Sequence, residues 1–296
     1  MQVTVNVRHQ VSRILLSAAF KRYRVKELSI DRRDDADGTP CDEDQDLKPL
    51  IKSAGERGLE KLSFATFLEP NELDVTLLLS AGPDLKSVEF SCFEGTFTGN
   101  APDPTWSVPF QLEHLSLVYF TLPDPFLSFL LASSPSIKSF EISTFRSSTS
   151  LQDFVALPEF PSFAANITTL TLNKLPPTHP AGLSSFSSLS HLILVDDSLA
   201  ELYEFMKSFS SPTITRLTLS LMYSNFSEPK DQQLWKDIMH SEALKNLKLI
   251  TWRRMNPRKL AQVEFLYAGR EAEVRMEYDG YEGYEGYEGY EGYEGA

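Results

Sequence analysis

The sequence predicts an α/β solenoid: a curved parallel sheet on the inside, with helices and loops outside, built from irregular repeats. Three observations predict it. A spacing of three apolar residues recurs nine times along 296 residues. The segments between recurrences carry helix-start and helix-stop chemistry. The hydrophobic residues, 42% of the chain, are spread evenly enough for one core that grows unit by unit.

The spacing is seen in LEHLSLVYF, residues 112–120, where Leu112, Leu115 and Leu117 hold the first, fourth and sixth places. The same form returns in VKELSI, LEKLSF, LKSVEF, IKSFEI, ITTLTL, LSHLIL, ITRLTL and LKNLKL, which begin at Val25, Leu59, Leu85, Ile137, Ile167, Leu189, Ile214 and Leu244. Three fixed places are all apolar by chance roughly 7% of the time at this composition, so a nearly regular series at intervals of 22 to 34 residues is an array. In a short strand the fourth and sixth places point to one side, and the first anchors the entering turn in the same core. No unit buries that side alone. The units therefore stack as parallel strands about 4.8 Å apart and share the core between neighbours.

Along the chain, residues 1–21 precede the array, and HQVSRILLSAAFK at 9–21 predicts one helix capping the open first rung. The array itself runs over 22–278 and is interrupted by an acidic insertion at 31–46. There Asp35, Asp37, Gly38 and Asp44 approach the spacing of a calcium loop. Arg33 in the first place, aspartate in the twelfth and Pro40 inside speak against it, and a solvated insertion without metal is expected. PNELDVTLLLSAGP predicts a helix capped by Asn71, with Leu73, Leu77 and Leu78 on one face and Gly82 and Pro83 as its stop. PDPFLSFLLASSP predicts another, with Asp124 as cap and Pro125 at the first helical position. TSLQDFVAL and SLAELYEFM each carry a capping box, Thr149 with Gln152 and Ser198 with Glu201. DQQLWKDIM sets Leu234, Trp235 and Ile238 on one face. Residues 279–296 continue Tyr-Asp-Gly into five Tyr-Glu-Gly units, with too little apolar surface to offset ordering entropy, and are expected to be a disordered tail outside the fold. Their evenly spaced tyrosines could also serve as phosphorylation or multivalent contact sites.

These nine units resemble leucine-rich repeats, and their irregular lengths resemble those of fungal F-box-type leucine-rich-repeat proteins. The resemblance covers about residues 22–278 and implies a protein-binding concave face. It also implies, where an F-box is attached, a role as the substrate-recognition part of a cullin-type ubiquitin ligase receptor. Two features depart from the family. The ninth place, usually asparagine, here reads Arg33, Phe67, Phe93, Phe120, Phe145, Leu175, Asp197, Met222 and Trp252, an apolar and largely phenylalanine column. No leucine-proline F-box motif stands in the 24 residues ahead of the first rung, so a ligase adaptor is expected as partner only if an F-box lies upstream.

Composition narrows the function classes. The net charge of −13 is concentrated in 31–46 and 278–296, each contributing −6, which leaves no basic stripe for a phosphate backbone. Nucleic acid is not an expected partner. No apolar run approaches the roughly 20 residues of a membrane span, and the N-terminus lacks a signal-peptide centre. Cys41 and Cys92 alone are too few for a disulfide framework or a structural zinc site, as suits cytoplasm or nucleus. Asn166-Ile-Thr and Asn225-Phe-Ser match glycan acceptors that are expected to stay idle there.

Catalytic chemistry is not expected either. GLSSF at 182–186 lacks the second glycine of a nucleophile elbow, the five histidines show no ligand spacing, and no phosphate-cradling glycine loop occurs. No cofactor is expected. What remains is the face carrying the third, fifth and seventh places: His114, Ser116, Val118; Ser139, Glu141, Ser143; Thr169, Thr171, Asn173; His191, Ile193, Val195; Arg216, Thr218, Ser220; Asn246, Lys248, Ile250. Most are small and neutral. His191, Ile193 and Val195 form an apolar spot, followed by a weakly basic end with Arg216, Lys248, Arg253 and Arg254. His114, Ser116, Val118, His191, Ile193, Val195, Arg216, Thr218 and Lys248 are the expected protein-contacting residues on the concave face. A non-enzymatic scaffold is thus the leading expectation. A free-standing scaffold or inhibitor without a ubiquitin link is the alternative, and an enzyme with its site on the inserted loop is a third reading.

Overall fold

The computed structural model describes residues 2–7, 24–32, 47–66, 73–92, 97–98, 108–118, 124–133, 135–143, 154–175, 184–195, 198–209, 213–220, 228–253 and 272–277. The strands are β1 Gln2–Val7, β2 Arg24–Arg32, β3 Lys61–Thr66, β4 Leu73–Asp74, β5 Ser87–Cys92, β6 Phe97–Thr98, β7 His114–Val118, β8 Ser139–Ser143, β9 Thr169–Asn173, β10 His191–Val195, β11 Arg216–Ser220, β12 Leu249–Arg253 and β13 Glu273–Glu277. Eleven of them form one open sheet in strict chain order from β1 to β13, and β4 and β6 make a separate small pair. Every pairing in the main sheet is parallel.

The register follows the predicted spacing. Leu28, Leu62, Val88, Leu115, Phe140, Leu170, Leu192 and Leu217 face one another across successive strands in the fourth place, and all are buried. The first-place residues Val25, Leu59, Leu85, Leu112, Ile137, Ile167, Leu189 and Ile214 are buried as well. Burying each such side chain stabilises the array by roughly 1.5–3 kcal/mol, shared between neighbouring units.

A second ladder locks the leading ends of the strands. The carbonyl of each second-place residue accepts from the backbone N–H groups of the next unit: Lys86 O from Glu113 and His114, Lys138 O from Thr168 and Thr169, Thr168 O from Ser190 and His191, Ser190 O from Thr215 and Arg216. In the first half of the array the second-place side chains alternate in charge, with Lys26 paired to Glu60 and Lys86 to Glu113. In the second half they are hydroxyls, and Thr168, Ser190 and Thr215 each donate to the carbonyl of the unit before.

The ninth unit departs from the expected register. Leu217 faces Ile250 and Leu219 faces Trp252, so the rung is Leu247, Ile250 and Trp252, three residues later than LKNLKL. Leu244 is buried, but in a short 3-10 turn over Glu242–Leu244. The shift follows from size: Trp252 fills the core against Trp235 with ring centroids 5.3 Å apart, which Leu249 could not do. Trp252 is therefore a sixth-place residue and leaves the ninth-place column. Leu175 of that column is buried, and its other members lie outside the described residues.

Among the described residues the return segments carry five helices: α1 Lys48–Gly55, α2 Asp124–Ser133, α3 Phe160–Asn166, α4 Leu199–Ser208 and α5 Pro229–Met239. Leu50, Ile51, Leu127, Leu130, Phe163, Leu202, Phe205, Trp235 and Ile238 join the strand residues in one core, so the helices cover a single face of the sheet. α2 and α5 form where the sequence predicts them. α4 starts with the complete capping box: the Ser198 hydroxyl accepts from Glu201 N at 3.2 Å, and Ser198 N donates to Glu201 Oε2 at 3.0 Å.

Elsewhere the local structure departs from the expected elements. The segment expected to be a helix after Asn71 is instead the short strand β4 followed by a 3-10 helix over Val75–Ser80, which ends before Gly82 at a φ of 83°. The tight turn suits the close approach of α1: a Cβ on Gly55 would stand 2.3 Å from the Ala81 carbonyl oxygen. α3 was not anticipated. It forms because Phe160 and Phe163 join Phe140, Phe154 and Phe186 in an aromatic cluster, with Phe140 stacked on Phe154 at 4.9 Å and set edge-on to Phe163 at 5.1 Å. The sheet also begins earlier than expected, since β1 pairs with β2 inside the segment assigned to a cap. Asp31 and Arg32, expected to open the acidic insertion at 31–46, belong to β2, and the rest of that insertion, the helix expected at 9–21, the Thr149–Gln152 box, Asn225 and the 279–296 tail lie outside the described residues.

Candidate interaction face of the sheet

The core claims one face of the sheet, and the other presents three rows of side chains running across the strands. The first row reads Glu27, Lys61, Ser87, His114, Ser139, Thr169, His191, Arg216, Leu249, Glu273 from β2 to β13. The middle row reads Ser29, Ser63, Glu89, Ser116, Glu141, Thr171, Ile193, Thr218, Thr251, Arg275 over the same strands. Val118, Asn173, Val195 and Ser220 belong to the third row. No helix among the described residues covers this face.

Its two halves differ. From β3 to β9 the rows form a hydrogen-bonded polar network centred on two carboxylates. Glu89 holds Lys61 Nζ at 2.6 Å and accepts from Ser63 Oγ at 2.8 Å. Glu141 accepts from Ser116 Oγ at 2.9 Å and from Asn173 Nδ2 at 2.6 Å. His114 sits between them, with Nδ1 3.0 Å from Ser139 Oγ and Nε2 3.9 Å from Glu89 Oε1. Burial pushes its pKa below the ordinary imidazole value, and Glu89 and then Glu141 oppose that push without cancelling it. The neutral imidazole is thus favoured, and its contact with Glu89 is not an ion pair near neutrality.

From β10 to β12 the face changes to half-buried Ile193 and Val195, exposed Arg216 and half-buried Leu249 and Arg253. His191 Nε2 lies 2.9 Å from Thr218 Oγ1, a bond that anchors the rim of this apolar spot.

Of the expected contact residues, His114, Val118, His191, Ile193, Val195 and Arg216 do lie on this face and are at least partly accessible. Ser116 and Thr218 also point to it, but each is only 3% exposed because the longer Glu141 and His191 side chains lie over their hydroxyls. Lys248 is a correction: in the shifted ninth unit it takes the second place, exposed at the leading end of β12, and Leu249 and Thr251 stand on the face instead. Ile250, expected to point outward, is in the core for the same reason. Glu89, Lys61 and Ser63 were missed, although reading the third and fifth places of LEKLSF and LKSVEF finds them.

Among the described residues no cluster of histidine, cysteine, aspartate or glutamate could hold a metal ion, and no helix is long and apolar enough to cross a membrane. In comparison with known proteins, no family model matches the chain, and no curated protein matches it.

Proposed function

We propose that this chain is a non-enzymatic scaffold of leucine-rich-repeat type that binds a protein on the open face of its sheet. The observation that carries the reading is the apolar spot of Ile193 and Val195 beside exposed Arg216, on a sheet face with no described helix over it. An apolar centre rimmed by charge is the composition of a protein contact. The finer reading, drawn from the resemblance in repeat length, is that the scaffold serves as the substrate-recognition part of an F-box-type ubiquitin ligase receptor.

The test is footprinting of the full chain in complex with captured partners. Protection of His191, Ile193, Val195 and Arg216, lost together with binding in Ile193→Glu, supports the reading. Partners that protect only other surfaces overturn it. A cullin-ligase adaptor among the captured proteins supports the finer reading, and a partner bound without one leaves a free-standing scaffold.

A further inference from the structure

The two carboxylates at the centre of the polar network differ in what they hold. Glu89 is paired with Lys61 Nζ at 2.6 Å. Among the described residues Glu141 accepts hydrogen bonds only from neutral donors, Ser116 Oγ on Oε2 at 2.9 Å and Asn173 Nδ2 on Oε1 at 2.6 Å. Each of its oxygens therefore keeps a second lone pair unused. The Glu141 side chain is half-buried and lies outside Ser116, which it covers. Glu141 faces Thr171 on β9, and Thr171 faces Ile193 on β10, so Glu141 stands two strand spacings, about 9.6 Å, from the apolar spot. Only the short Thr171 lies between them in that row.

A protein contact of ordinary size covers roughly 800 Å² on each partner, a patch about 16 Å in radius, so one centred on Ile193 and Val195 covers Glu141 as well. A carboxylate stripped of water by a partner that brings no cation is a net cost, so this face selects a partner that brings one. Unused lone pairs on both oxygens match the two-pronged guanidinium better than a point-charge ammonium. Arg216, exposed on the strand beyond Ile193, sets positive charge at the other end and repels a uniformly basic segment. The separation sets the partner's backbone: in polyproline II form, residues three apart share one side at about 9.3 Å. We propose that the partner of this face presents an extended segment with an arginine three residues from an aliphatic side chain. The guanidinium lies on Glu141, the aliphatic group on Ile193 and Val195, and an acidic residue follows toward Arg216. This rests on the reading of the open face as a protein-binding surface and names the chemistry that surface selects.

The experiment titrates the full chain with the acetylated peptide Ala-Arg-Pro-Pro-Leu-Pro-Glu-Ala at pH 7, following NMR shifts from β7 to β11. Saturable shifts at Glu141, Thr171, Ile193 and Val195 with a Kd below about 1 mM are expected. Citrulline in place of the arginine keeps the shape and removes the charge, and should weaken binding about tenfold. Glu141→Gln should weaken the arginine peptide about tenfold and leave the citrulline peptide unchanged. The two peptides on the parent chain keep the test valid if the glutamine variant folds poorly. Their equal binding overturns the proposal, and so does the absence of saturable shifts up to about 10 mM. Tighter binding of a helix-forming peptide with arginine and leucine seven residues apart, about 10.5 Å, overturns the extended form. A dimer of this chain that Ile193→Glu dissolves gives the face to a second copy and overturns it too. A captured partner that protects Ile193 and Val195 yet binds Glu141→Gln as tightly as the parent chain overturns this inference alone. Partners that protect only other surfaces overturn the reading on which it rests.

Discussion

The backbone N–H of Lys248 donates to the Thr215 carbonyl at 2.9 Å, the same bond that Thr215 makes to Ser190 and that fixes each second place in the array. This places Ile250 in the core and Leu249 on the open face. Ile250→Asp is therefore expected to destabilise the C-terminal units by several kcal/mol, since it buries an unpaired charge, while Leu249→Asp has a much smaller effect. Urea denaturation of the two variants checks the assignment, and the reverse order would restore the register that begins at Leu244.

Phe140 ties β8 to the aromatic cluster, touching Phe154 and Phe163 of the return segment between β8 and β9. Phe140→Ala should cost about 3–5 kcal/mol and loosen α3 together with β8. Hydrogen exchange resolved by unit should show protection falling around residues 137–172 before it falls near α4.

Gly55 meets the Ala81 carbonyl where α1 crosses the 3-10 helix. The obstacle is backbone and cannot swing aside, so Gly55→Ala should destabilise by about 1–3 kcal/mol through overpacking. A melting temperature equal to that of the parent chain would contradict the close approach.

Ser198 and Glu201 satisfy each other's backbone donors at the start of α4. Ser198→Ala should lower stability by about 1 kcal/mol, seen as faster exchange of the first-turn amides of α4, and Ser198→Asp should retain most of the protection.

His114 gives the chain a pH dependence of defined sign. Its folded pKa lies below its unfolded value of 6.5, so near pH 6 the unfolded chain binds more protons than the folded one, and stability rises with pH. The contribution is present above 6.5 and is lost as pH falls from there through the folded pKa. Stability measured from pH 7 to pH 5 should fall less steeply in His114→Gln, and NMR titration of His114 should give a midpoint below the ordinary imidazole value.

The repeating unit is legible from the order of residues alone. The spacing of Leu112, Leu115 and Leu117 names a strand with one buried side, because side-chain alternation is a local property of an extended backbone, and the Ser198 box marks a helix start for the same local reason. The choice between competing apolar triplets at the end of the array is made by packing between segments. Leu244, Leu247 and Leu249 match the spacing as well as Leu247, Ile250 and Trp252 do, and the choice rests on Trp252 meeting Trp235 from another segment. The polar face divides in the same way. Alternation puts Glu89, Ser116 and Glu141 on it, but that Ser116 lies covered while Arg216 stays open depends on how long its neighbours are on adjacent strands, a relation between units that no single unit encodes.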